Sequence, residues 1–243
     1  MTKEEFITLC RASFEQNGIK ASIDDEAYEK LYKLSIIFSE KNKVMNLTAI
    51  RDEKLIISRH FADCLMAERF FPKNASVIDI GSGGGMPTLP LAIVRPDLEI
   101  TALDATAKKT AYILEAANEL GLSNVHIITG RAEEIAHTAV RESFDCATAR
   151  AVAELRVLME WCVPYVKKGG LFIALKGKKA AEELAGARGA IAALGVKLIA
   201  SDDCTLTDPD GEVSERSTLI FEKTESNSSV YPRKNSIIMK KPL

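Results

Sequence analysis

Apolar positions change their period along this chain. From Lys3 to Gln16 they recur at helical spacing, with Phe6, Leu9 and Phe14 on one side, and Gly18 ends the run. Ser22, followed three residues later by Asp25, resembles a capping box. It predicts a helix to about Lys41 with Tyr28, Leu31, Leu34, Ile37 and Phe38 inward. Asn46-Leu47-Thr48 breaks the pattern. Helical spacing returns at Asp52 and takes in Arg59-His60-Phe61-Ala62-Asp63-Cys64-Leu65, and Pro72-Lys73-Asn74 closes this part. From Ser76 short apolar runs alternate with amphipathic stretches. Strands are predicted at 77–80, 99–103, 124–128, 144–149 and 170–175, with helices near 87–94, 106–120, 132–139, 153–164 and 179–194.

Strands that alternate with helices predict an α/β, doubly wound, mostly parallel sheet. Val77-Ile78 and Val125-His126-Ile127-Ile128 read as strands buried on both faces. Two last strands, near 196–201 and 217–222, have turn chemistry between them at Thr207-Asp208-Pro209-Asp210-Gly211. With no helix between them they predict an antiparallel edge hairpin. The organisation expected is an N-terminal helical extension (1–74) packed on a main domain (75–224), then a basic tail (225–243), loosely held.

The pattern centres on Val77-Ile78-Asp79-Ile80-Gly81-Ser82-Gly83-Gly84-Gly85-Met86-Pro87. An apolar run ends in an acid, a glycine cluster follows, and a proline opens the next helix. Alternate glycines let the backbone take positive φ and let a ligand lie on bare main chain. Asp104, at the end of the second strand, is placed to accept from ribose hydroxyls. A dinucleotide or S-adenosylmethionine suits this arrangement. The dinucleotide fingerprint needs a third glycine where Met86 stands, so it fails. Asp-x-Gly-x-Gly-x-Gly resembles the first motif of Rossmann-like methyltransferases.

Ligands of open parallel sheets bind outside the carboxyl ends of the strands. That rule selects the loop Gly81–Gly83, Asp104, Gly130-Arg131-Ala132-Glu133, Thr148-Ala149-Arg150 and Lys176-Gly177. The Ala132 backbone and the Glu133 carboxylate suit an adenine edge; Glu133 also reads as a first-turn acid favoured by the helix dipole. Met86 is an apolar wall or simple packing. Arg150 is either an anion clamp or the partner of a buried acid. His60 is a base, an RNA contact or a core residue. Lys108, Lys109, Lys176, Lys178, Lys179 and Arg131 fall on the same rim, which suits a phosphate backbone or is a solvated face. Neither Asn-Pro-Pro-Tyr nor Pro-Cys follows the fourth strand, so the usual devices for exocyclic amines and pyrimidine C5 are absent. Guanine N7 carries its own lone pair and needs neither.

Composition narrows the setting. The net charge of -2 excludes a basic coat for bare nucleic acid. The five cysteines are scattered with no Cys-x-x-Cys pair, which argues against a disulfide framework or a zinc site and for a reducing compartment. No signal-type or membrane-spanning run occurs, so a cytoplasmic location without membrane contact is expected.

Asn46-Leu47-Thr48-Ala49-Ile50, Arg59-His60-Phe61, Asp79 to Pro87, Gly130-Arg131-Ala132-Glu133, Thr148-Ala149-Arg150-Ala151-Val152, Ala174-Leu175-Lys176-Gly177 and Tyr231-Pro232-Arg233-Lys234 together resemble the ribosomal RNA small subunit methyltransferase G family, also called glucose-inhibited division protein B. The likeness runs in order over nearly the whole chain. It implies S-adenosylmethionine-dependent methylation of N7 of one guanosine in bacterial 16S rRNA of the small ribosomal subunit, by an enzyme without a metal and expected to be a monomer. It carries cofactor contacts onto Gly81, Met86, Ala132, Glu133 and Arg150; Gly83 and Asp104 join them from the reading of the strand ends. Met86 departs from the family's usual aromatic or leucine, and Thr88 from a common glycine. No catalytic side chain is implied. A small-molecule or protein methyltransferase, or a non-catalytic cofactor-binding assembly factor, are the alternatives on the same fold.

Overall fold

The computed structural model describes residues 1–243. Helices α1 (Lys3–Gln16) and α2 (Asp25–Met45) lead into α3 (Glu53–Ile56), a π turn (Ile57–Ala62) and α4 (Asp63–Leu65). Then β1 (Ser76–Ile80), α5 (Thr88–Val94), β2 (Glu99–Asp104), α6 (Ala107–Glu119), β3 (Val125–Thr129), α7 (Ala132–Ile135), β4 (Phe144–Arg150), α8 (Leu155–Cys162) and β5 (Val166–Gly177) alternate. Helices α9 (Ala180–Gly186) and α10 (Arg188–Ala193), the hairpin β6 (Val196–Thr207) and β7 (Val213–Lys223), and α11 (Asn235–Lys240) complete the chain.

The seven strands form one sheet in the order β3-β2-β1-β4-β5-β7-β6. All neighbours from β3 to β5 are parallel, while β7 runs antiparallel to β5 and β6. The order reverses between β1 and β4, so the switch point of the sheet opens above the glycine loop.

Local chemistry sets the boundaries. Thr2 and Glu5 make the capping box of α1. The cap of α2 is Asp24, which accepts from Ala27 N at 2.8 Å, and not Ser22: Asp24 stands next to the first helical residue, where its carboxylate reaches the free N–H groups. Asn46 ends that helix at φ 51. Asn42 then binds Thr48 through both backbone groups and fixes the Asn46–Thr48 break.

One apolar cluster runs from Phe6, Leu31, Phe38 and Phe61 through Val77, Leu89, Ile100 and Tyr112, so the N-terminal helices share a core with the sheet. The other face buries Ile80, Ala149, Leu158, Phe172 and Phe221.

Several expectations are corrected. The helix expected over 132–139 is a single α-helical turn, Ala132–Ile135, followed by looser turns. The helix expected over 179–194 breaks at Ala187, and the hairpin strands extend to Thr207 and from Val213. Pro87 caps α5 rather than lying in its first turn. The tail is not loose. Arg233 binds the fully buried Glu160 through Nε and Nη2 at 2.8 and 2.7 Å, Arg141 donates to the Tyr231 carbonyl at 2.7 Å, and Ile238 is fully buried. A buried carboxylate must be paired, and that requirement draws the tail onto α8.

Candidate functional site

The site grows from the end of β1. Gly81, Gly83 and Gly85 all have positive φ. A Cβ on Gly81 would meet Val152 at 2.9 Å and one on Gly85 would meet Leu89 at 2.6 Å, so these two serve close packing. A Cβ on Gly83 would meet nothing nearer than the Gly81 carbonyl at 3.7 Å. Its main chain is therefore bare toward the cavity above it. Asp104 anchors the loop: Gly83 N donates to Oδ2 at 3.0 Å and Thr106 N to Oδ1 at 2.8 Å. Each oxygen keeps a second lone pair for a ligand hydroxyl.

Two adjoining cavities flank Asp104. One, of about 320 Å³, is lined by Gly81–Gly84, Met86, Lys109 and Arg150, with Phe38 of α2 and Leu47 of the loop after it as its outer wall. The other, of about 160 Å³, is lined by Gly130–Glu133, Val152 and Trp161. Gly81, Asp104 and Val152 belong to both, so together they form one bent groove over the ends of β1 to β3. The Tyr165 hydroxyl holds the Ala132 carbonyl at 2.6 Å and steadies the second end.

Asp79 lies beneath the loop. Thr88 donates to its Oδ2 at 2.7 Å, while Oδ1 is buried without a partner. Burial pushes this carboxyl up to about 6, against the hydrogen bonds from Thr88. Thr88 thus has work of its own at the start of α5, which a glycine there would not do.

A third cavity, about 520 Å³, adjoins the groove through Leu47, His60, Arg150 and Ala151 and extends over β5, β7 and β6. Its wall carries a chain of charges. Asp63 accepts from Arg150 at 2.7 Å and from Arg216 Nε. Arg150 also donates to His60 Nδ1 at 3.2 Å, so Nδ1 must be the unprotonated nitrogen and Nε2–H faces Thr48 Oγ1 at 3.1 Å. Burial first, and then the Arg150 charge, push His60 down to about 4. His60 is a neutral wall residue whose lone pair is already engaged, not a free base. Arg150 lines the groove and is the partner of an acid, the half-buried Asp63.

The basic rim divides. Lys176 leaves it, because its ammonium is drawn inside to Glu183 at 2.6 Å and to the Ala153 carbonyl at 2.9 Å. Lys108, Lys178, Lys179 and Arg131 remain exposed. Asp63, Glu183 and Arg216 escaped the reading of strand ends. The first two lie on helices and the third on the antiparallel strand, where that rule does not look. No group of three or more His, Cys, Asp or Glu is placed to hold a metal, and no helix is long and apolar enough to cross a membrane.

Known proteins are similar to this chain in sequence and in fold. The family model described as GidB, rRNA small subunit methyltransferase G, matches residues 27–208. The ribosomal RNA small subunit methyltransferase G of Clostridium perfringens (strain 13) is 39% identical over 98% of this chain and 99% of its own. That of Brevibacillus brevis is 40% identical over the full length of both. Among solved structures, TYW2 of M. jannaschii in complex with AdoMet superposes with a TM-score of 0.51 at 17% identity, over 66% of this chain and 76% of that one. A SAM-dependent methyltransferase of Methanosarcina mazei gives 0.52 at 14%, over 65% and 96%. Both likenesses are of fold.

Proposed function

The chain belongs to the rRNA small subunit methyltransferase G family, and on that premise we propose that it methylates N7 of one guanosine in the 16S rRNA of the small ribosomal subunit, with S-adenosylmethionine as donor. The carrying observation is the bare main chain at Gly83 beneath Asp104, next to a second and larger cavity. The groove suits the donor. It offers an acid with spare lone pairs for ribose hydroxyls, a main-chain floor at Gly81 and Gly83, and Met86 as an apolar wall. Ala132 and Glu133 would meet the adenine edge at the other end. Arg150 closes the groove toward the acceptor and holds Asp63 and His60 in place.

The donor supplies a methyl group made electrophilic by a sulfonium. Guanine N7 has a lone pair in the ring plane and loses no proton on methylation. The protein therefore needs no general base, and its task is alignment and the exclusion of water. A neutral, hydrogen-bonded His60 fits that requirement. Phe38 and Leu47 shield the groove. With a net charge of -2 the protein has no broad attraction for RNA, so the exposed lysines and Arg131 on the rim act locally on a folded substrate. Action as a monomer without a metal belongs to the same proposal.

Small subunits from a strain lacking the enzyme, incubated with labelled donor and digested for mass spectrometry, test this. One 7-methylguanosine in 16S rRNA is the expected product. Label on protein, on another base, or nowhere would overturn the proposal.

A further inference from the structure

The third cavity has polar atoms that the fold leaves unused. Glu183 accepts from Leu155 N at 2.7 Å through Oε2, which is also ion-paired with the Lys176 ammonium at 2.6 Å, and Oε1 accepts from no protein group. Ser217 is 5% exposed and its Oγ has no partner. Lys176 donates to the Ala153 carbonyl and is ion-paired with Glu183, which leaves its ammonium a hydrogen for a ligand. All three residues line this cavity, whereas both oxygens of Asp63 are taken by arginines.

Their place on the sheet gives direction. The wall shared with the donor groove includes Arg150 at the end of β4 and Ala151 just after it, with Leu47 and His60 from the N-terminal part. Lys176 lies one strand further, at the end of β5, and Arg216 and Ser217 lie on β7 beyond it. Neighbouring strands are about 4.8 Å apart, close to the width of a purine. A guanine whose N7 faces the groove carries N1–H and the exocyclic amine on the adjoining Watson–Crick edge, and that edge can lie against the end of β5 and α9, where Lys176 and Glu183 line the cavity.

We propose that this cavity takes the acceptor base and that Glu183 selects guanine, its Oε1 accepting from N1–H and the 2-amino group while Lys176 donates to O6. This rests on the functional reading above. Adenine would set the lone pair of its N1 against the carboxylate, and inosine would lack the second donor. Glu183 is a specificity-determining residue that touches the base and takes no part in methyl transfer.

The test pairs a variant with an altered base. Small subunits are reconstituted with 16S rRNA carrying either guanosine or inosine at the modified position. In Glu183→Gln the side-chain oxygen is held by Lys176 and Leu155 N, which turns the amide donors toward the base. On guanosine the variant should lose roughly ten- to hundredfold in kcat/KM, the range for one hydrogen bond to a charged group. Donor affinity by calorimetry should stay unchanged, which also shows that the variant folds. The wild-type enzyme should disfavour inosine by several-fold, and that preference should vanish in Glu183→Gln. Ser217→Ala, a smaller change, should leave the preference in place. An equal inosine penalty in both enzymes, or no penalty in the wild type, overturns the assignment of Glu183. Failure of the wild type on guanosine itself would instead overturn the functional reading.

Discussion

At the scale of single residues, two buried groups pull against each other with pH. Burial holds the Asp79 carboxyl up at about 6, against roughly 3.9 in an unfolded chain. Between those values the folded state holds the extra proton, so stability falls as pH rises. His60 is held down at about 4, against roughly 6.5 unfolded. There the unfolded chain holds the extra proton, so stability falls as pH drops below the unfolded value. From about pH 4 to 6 the two slopes oppose. Asp79→Asn removes one of them. Urea titrations at pH 7 and pH 4.5 should show the variant losing more stability on acidification than the wild type, and equal losses would mean that Asp79 does not titrate as described. Asp104→Ala removes the acceptor of Gly83 N as well as the proposed ribose partner, and should weaken donor binding by roughly 1–3 kcal/mol in calorimetry. Gly83→Val forces a β-branched residue to φ +55 and fills open cavity, so donor binding should be lost while near-UV circular dichroism still reports a packed core.

At the scale of elements, what a sequence shows depends on whether the cause is local. The β1–loop–α5 unit, Asp104 at the end of β2 and the antiparallel hairpin were legible because apolar period and glycine placement create them. The cap of α2 lies two residues beyond the one the sequence pattern predicts, because Ser22 and Asp24 are both competent and only the backbone decides between them. The docking of the tail was hidden because its cause, an acid buried in α8, lies 73 residues away. The same holds for Arg150: its double role as groove wall and partner of Asp63 is set by a helix 87 residues earlier. The tail contact makes its own prediction. Arg233→Ala strands Glu160 in the core and should cost up to roughly 3–5 kcal/mol, the lower end being expected because Arg233 is 21% exposed. Chemical denaturation of Arg233→Ala, compared with the Glu160→Gln, Arg233→Ala pair, would show whether the stranded charge is the cause: the double variant should recover most of the loss.

For the molecule as a whole, the N-terminal helices and the sheet share one apolar cluster, and Phe38 and Leu47 also wall the donor groove. A chain beginning at residue 75 would expose the faces of α5 and α6 that those helices cover. It should aggregate or remain molten by near-UV circular dichroism and light scattering; a stable monomer of native spectrum would show that the sheet holds its core unaided. The Glu160–Arg233 contact reaches further, into the making of the protein. Ribosomes release a chain in one direction at roughly 5–20 residues per second, so those 73 intervening residues take roughly 4–15 s to emerge. Throughout that interval α8 carries an acid whose counter-charge has not yet been synthesised, and the face of α8 that α11 packs against stays open. Nascent chains stalled short of Arg233 should be open to protease at that helix and should become resistant once translation passes it.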